Sequence, residues 1–150
     1  MTKPRNRPFE ARGSSAEIET GSVFQPKFDC NGLIPAIVTG TASGDVLMFA
    51  HMNAEALRLT LTQGVAHFWS RSRGKLWMKG EESGNVLRVI EVRTDCDQDV
   101  LWIKARVEGE GRACHTGARS CFYRKLVWGG SEHNDWALSF EGPSGMSTGE

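Results

Sequence analysis

The chain has 150 residues, enough for one domain, of which 39% are hydrophobic and 24% charged, an ordinary globular composition. Its 18 Lys plus Arg balance 18 Asp plus Glu. That neutrality excludes a general nucleic-acid or anionic-membrane binder, which needs excess positive charge.

Residues 1–21 contain Pro4, Pro8, Gly13 and Ser14-Ser15, show no periodicity, and are expected to form a flexible tail. They lack the apolar stretch of a secretory signal, and no later run approaches bilayer length. A cytoplasmic location follows as an expectation, and there the four cysteines stay reduced, so metal binding outranks disulfides as their explanation.

A single folded domain, 22–140, is expected next. Ile34–Gly40 and Val46–His51 are apolar segments separated by Thr41-Ala42-Ser43-Gly44-Asp45, the pattern of a β-hairpin. Asn53 is placed to cap a helix over 54–63, with Glu55 in its first turn and Gly64 ending it. Ala54, Leu57 and Leu61 would share its apolar face. Short strands are expected at Ala66–Ser70 and Leu76–Met78, and longer ones at Val86–Thr94 and Val100–Glu108. In the last of these Leu101, Ile103, Ala105 and Val107 alternate onto one face. Phe122–Trp128 reads as the closing strand. Residues 130–150 carry Gly142-Pro143-Ser144-Gly145 and no periodicity, and 141–150 is expected to be a flexible C-terminal tail. The fold class is α+β, mainly antiparallel strands with one or two short helices.

Between two of these strands stands Asp95-Cys96-Asp97-Gln98-Asp99. Three carboxylates at alternate positions repel one another, and a hard divalent cation such as Mg²⁺ or Ca²⁺ relieves that repulsion. The same pattern also suits a solvated acidic turn. An EF-hand is excluded, because Val100 and Arg106 occupy the positions that need Gly and Glu.

Cys114 and Cys121 bracket His115-Thr116-Gly117-Ala118-Arg119-Ser120, a wider spacing than a zinc finger uses, with Gly117 available for a turn. Three thiolates and an open fourth position suit a catalytic zinc, whereas a fourth protein ligand would make the site structural. His115 fits either role, as that fourth ligand or as a base that manages protons. Cys30, with no partner near in sequence, reads as a packed small hydrophobe.

Ser70-Arg71-Ser72-Arg73-Gly74-Lys75 and Lys79-Gly80-Glu81-Glu82-Ser83-Gly84-Asn85 mix cations, hydroxyls and flexible backbone. They suit a phosphate cradle, and equally two solvated turns around a short strand.

These segments, taken in order, resemble the phosphoribosyl-AMP cyclohydrolase family. The resemblance runs from Phe28-Asp29 with Gly32-Leu33-Ile34-Pro35-Ala36, through Met52-Asn53, Trp69-Ser70-Arg71-Ser72-Arg73, Lys79-Gly80-Glu81 and Ser83-Gly84-Asn85, to the aspartate loop and Cys114-His115-Thr116-Gly117 with Ser120-Cys121-Phe122. It covers residues 22–128. It implies a hydrolase of histidine biosynthesis that opens the adenine ring of phosphoribosyl-AMP at the N1–C6 bond. It further implies Mg²⁺ on Asp95, Asp97 and Asp99, Zn²⁺ on Cys96, Cys114 and Cys121, and an intertwined homodimer whose zinc site draws on both subunits. Ser70, Arg71, Ser72, Arg73, Lys75, Lys79, Ser83 and Gly84 become the expected substrate contacts, and His115 the expected catalytic residue.

Two other readings compete. A zinc nucleobase deaminase would carry His-x-Glu and Pro-Cys-x-x-Cys, which this sequence lacks. A non-catalytic module with structural zinc would leave the three aspartates and the serine-arginine segment without purpose.

Overall fold

A computed structural model describes residues 9–128 and 136–140. In chain order the elements are α1 (Ser15–Thr20), β1 (Ile34–Gly40), β2 (Val46–Met52), α2 (Ala54–Gln63), β3 (His67–Ser70), β4 (Lys75–Met78), β5 (Leu87–Thr94), β6 (Leu101–Val107), β7 (Arg124–Val127) and β8 (Ala137–Phe140). Six strands form one sheet in the order β4-β3-β2-β1-β6-β5, and β7 and β8 form a separate hairpin. All strand pairs are antiparallel except β1 with β6, whose register runs from Ala36 opposite Leu101 to Gly40 opposite Ala105. The α+β class with mostly antiparallel strands is therefore present, with one parallel pair inside the sheet.

The sheet buries one face. Ile34, Ala36 and Val38 of β1 alternate inward, as do Leu101, Ile103 and Ala105 of β6, and all are fully buried. Helix α2 covers this face. Asn53 caps it by accepting from the Ala56 N–H at 2.8 Å, and Gly64 ends it at φ 75°. Its buried residues are Ala56, Leu57 and Thr60, so the expected stripe of Ala54, Leu57 and Leu61 is corrected: Ala54 is exposed and Leu61 is 46% exposed. The reason is that Thr60 replaces it as the inward residue, its hydroxyl donating to Ala56 O at 2.8 Å and accepting from the His67 N–H at 2.9 Å, which ties the helix to the start of β3.

Both chain ends depart from expectation. The N-terminal region carries the short helix α1, capped by Ser14, where no regular element was expected. Phe9 packs against Phe24 and Phe28, with ring centroids 5.6 Å and 6.1 Å apart. The closing strand is shorter than Phe122–Trp128 and is paired with β8, an element absent from the sequence reading of 130–150. Residues 141–150, the expected C-terminal tail, lie outside the described residues.

Candidate active site

The segment that carries Cys114 and Cys121 is a tight loop fastened to β2. Ala113 N–H donates to Arg119 O at 3.2 Å, Cys114 N–H to Ala118 O at 3.1 Å, and Gly117 N–H to Cys114 O at 3.0 Å, which folds the loop back on itself. Cys121 N–H then donates to Leu47 O at 2.7 Å, Ser120 Oγ donates to Val46 O at 2.7 Å, and Arg119 pairs with Asp45 at 2.7 Å. Small buried side chains, Ala113, Ala118 and Ser120, let the loop lie this close to the sheet.

The loop brings the two thiols into a shared hydrogen bond. Burial opposes ionisation of Cys114, but the Thr116 hydroxyl 3.0 Å from its Sγ, the Thr116 N–H, the Cys121 thiol and the Lys79 charge outweigh it, so its pKa falls below the usual thiol value. Cys121 is exposed as a residue, but desolvation of its sulfur by the folded loop and the neighbouring Cys114 push its pKa up to about 11. The pair thus offers two neighbouring sulfur donors, and a thiophilic cation would displace the proton that Cys121 retains, the donor chemistry that zinc selects.

Beside the thiols lies a cleft of about 600 Å³ whose walls include Arg73, Lys75, Lys79, Ser83, Cys114 and His115. Both basic segments singled out in the sequence therefore contribute to one cavity with the cysteine loop. Lys79 is fixed there by its N–H, which donates to Ala66 O at 3.1 Å. The following turn depends on Gly80: at φ 85°, an added Cβ would lie 2.4 Å from the backbone of Asn85. His115 is exposed on the cleft wall. Gly84, expected among the substrate contacts, does not line the cleft; its N–H donates to Gly80 O at 2.9 Å and closes the turn that carries Ser83.

Ser70, Arg71 and Ser72 face a second cleft of about 300 Å³, with Phe49, His51 and Trp69. Arg73 and Trp77 line both cavities, so the two are neighbours. Desolvation lowers the His51 pKa, helped by the Arg71 charge and opposed by Asp29. Arg112 and Glu110 line the main cleft and were not singled out in the sequence. No periodic signal marked them, because they lie in a turn where Gly109 and Gly111 take positive φ, 70° and 75°.

The aspartate loop forms a separate cluster. One ligand atom from each of Asp95, Cys96 and Asp97 lies within 4.8 Å of the others, and all three residues are exposed. Asp99 joins through its N–H, which donates to Asp95 Oδ1 at 3.0 Å, and through carboxyl hydrogen bonds with Asp95 and Asp97. Slight burial raises the Asp99 pKa, and the two neighbouring carboxylates add to it. Burial acts the same way on Asp95, but hydrogen bonds from the Asp99 and Val100 N–H groups and the neighbouring carboxyls reverse the direction and lower it. Opposite shifts in one triad reflect carboxyl groups crowded enough to share hydrogen bonds and repel one another, a repulsion that a hard divalent cation would relieve.

Within one chain Cys96 does not join Cys114 and Cys121: the one metal-capable cluster among the described residues is Asp95, Cys96 and Asp97. Cys30, expected to be packed, is exposed because its turn, with Asp29 Oδ1 accepting from the Asn31 N–H at 2.8 Å, projects away from the core.

The profile of the phosphoribosyl-AMP cyclohydrolase family matches residues 48–123, which takes in most of β2, the lining of both clefts, the aspartate loop and the cysteine loop. A phosphoribosyl-AMP cyclohydrolase of Brucella anthropi is 62% identical over 135 residues, covering 89% of this chain and 94% of that one. Those of Brucella canis and Brucella suis are each 61% identical over 125 residues, covering 83% of this chain and 90% of theirs. With that similarity extending over nearly the whole chain, and the motifs gathered around one cleft, this protein belongs to the phosphoribosyl-AMP cyclohydrolase family.

Proposed function

We propose that this chain hydrolyses the N1–C6 bond of the adenine ring of 1-(5-phosphoribosyl)-AMP, the third step of histidine biosynthesis. The observation that carries the reading is the single cleft in which Cys114 and His115 face Arg73, Lys75, Lys79 and Ser83. A substrate with two phosphate groups needs several cations beside its reacting ring, and this wall supplies them.

Cys114 and Cys121, completed by Cys96 of a second copy, would hold Zn²⁺, and Asp95, Asp97 and Asp99 would hold Mg²⁺. When bound, zinc supplies the Lewis acidity that makes water a nucleophile at neutral pH, and magnesium supplies positive charge for the aspartate loop and substrate. The protein's own residues do the rest. Arg73, Lys75 and Lys79 grip phosphate oxygens, Ser83 donates to them, and Ser70, Arg71 and Ser72 receive the second phosphate in the adjoining cleft. The imidazole of His115 takes a proton from the attacking water and returns one to N1 as the N1–C6 bond breaks, so that C6 gains the oxygen and N1 leaves protonated.

A homodimer with a shared zinc site is supported by two features. Cys96 lies apart from its expected partners within one chain. The β7–β8 hairpin, alone as a two-stranded sheet, exposes Leu126, Trp128, Trp136, Leu138 and Phe140 by between 49% and 73%. Such a hairpin is marginal by itself, and an apolar patch of this kind is stable when a partner covers it. Among the described residues no helix is long and apolar enough to cross a membrane.

The test is turnover. Purified protein, zinc, magnesium and phosphoribosyl-AMP are combined and ring opening is followed by ultraviolet absorbance. Turnover that disappears in Cys121→Ala and falls at least about a hundredfold in zinc-loaded His115→Ala supports the assignment. A folded, zinc-loaded protein without turnover overturns it in favour of a structural-zinc module.

A further inference from the structure

Gln98 is the one residue other than glycine, among those described, with a positive φ, 56°. It stands inside the aspartate loop, yet it is only 5% exposed while Asp95, Cys96 and Asp97 around it are exposed. A left-handed conformation is unfavourable for a residue that carries a side chain, so something must hold it.

What holds it is the N-terminal region. Gln98 Oε1 accepts from the Gln25 N–H at 2.7 Å, and Gln98 Nε2 donates to Ile18 O at 3.0 Å. Its carbonyl accepts from the Lys27 N–H at 2.7 Å. Arg12 adds a second fastening, Nη1 donating to Asp97 O at 2.6 Å and to Gln25 O at 3.1 Å. Gln25 is itself held, its Oε1 accepting from the Gly13 N–H at 2.9 Å. Residues 9–27 thus grip both Asp97 and Gln98 from one side, anchored by Phe9 on Phe24 and Phe28.

We infer that this N-terminal segment is a clamp in which Arg12 and Gln98 act as positioning residues, holding the aspartate loop in the conformation that brings Asp95, Asp97 and Asp99 together for a divalent cation. Neither residue offers the cation a ligand. Their effect is to keep the binding-competent loop populated, and apparent affinity falls in proportion to the competent fraction. The inference rests on the proposed magnesium role of the loop.

Mn²⁺ serves as the probe, titrated into the zinc-loaded full chain and read by electron paramagnetic resonance, with Asp95→Asn identifying the loop site. Arg12→Ala is expected to weaken Mn²⁺ binding about fivefold and Gln98→Ala about tenfold. Gln98→Gly relieves the backbone strain but still lacks the amide, so it is expected to weaken binding as well, and Arg12→Lys to restore part of the loss. Zinc content and unfolding temperature separate this from general destabilisation. Independently of metal, hydrogen exchange at the Gln98 and Asp99 amides is expected to accelerate in Arg12→Ala. Wild-type Mn²⁺ affinity and unchanged exchange in both Arg12→Ala and Gln98→Gly overturn the clamp. A wild-type loop that takes no Mn²⁺ overturns the magnesium role and the cation part of the inference together, while the exchange rates still decide whether the segment holds the loop.

Discussion

The Thr116 hydroxyl donates a hydrogen bond to Cys114 Sγ across 3.0 Å, from within the same turn that carries His115. It favours the thiolate form, and Cys114 accordingly ionises below the usual thiol range despite its burial. Thr116→Val keeps the shape and removes the donor. Zinc affinity, measured by competition with a chromophoric chelator, is expected to fall about tenfold, the common effect of losing a partner of a metal ligand. Thr116→Ser should retain most of it. Equal affinity in Thr116→Val would mean that the hydroxyl only shapes the turn.

Cys121 behaves oppositely, its pKa raised to about 11 by burial and by Cys114. At neutral pH the metal-free protein therefore keeps this proton, and zinc, which binds thiolate, must expel it. Calorimetric titration of zinc near pH 7.5 in buffers of differing ionisation enthalpy should show release of at least about one proton per site. The sign follows directly: zinc affinity rises with pH through the neutral range and falls as the solution is acidified. Cys121→Ser should release fewer protons and bind zinc more weakly. A proton count near zero for the wild type would show that Cys121 is not a ligand.

Lys79 is placed to act on both the substrate and the thiols. It lines the main cleft, and its charge lowers the pKa of Cys114 and of Cys121. Lys79→Met is expected to raise KM for phosphoribosyl-AMP about tenfold or more, since a charge-assisted contact to phosphate is lost. It should also raise the pH at which the metal-free thiols react with a disulfide reagent. A variant with altered thiol titration but unchanged KM would assign Lys79 to the metal site alone.

Separation of Cys96 from Cys114 and Cys121 within one chain makes subunit sharing testable by complementation. Cys96→Ala and Cys121→Ala are each expected to be inactive. Refolded together, half of the dimers would pair one variant with the other, and each mixed dimer would hold one intact site. Activity should return to about a quarter of the wild-type level. A mixture as inactive as its parents would place all three ligands in one chain.

Local features were legible where the cause is local. The cap at Asn53 and the stop at Gly64 need only neighbouring backbone, and the alternation of Leu101, Ile103 and Ala105 reports one buried sheet face. The two basic segments were readable as anion-binding, but not as walls of one cavity. Leu61 misled because helical spacing alone does not reveal that Thr60 turns inward to bond across to His67.

The sequence by itself determined the chemistry on offer: a family-specific order of cysteines, aspartates, cations and a histidine, each needed for what its side chain can donate or hold. Only the tertiary structure decided the company those residues keep. It put β6 parallel to β1, raised a second strand beside Arg124–Val127, seated residues 9–27 on the aspartate loop, and kept Cys96 away from the thiol pair. These are contacts between segments distant along the chain. They arise because buried backbone groups and apolar faces must find partners wherever the fold supplies them, a requirement that no local pattern records.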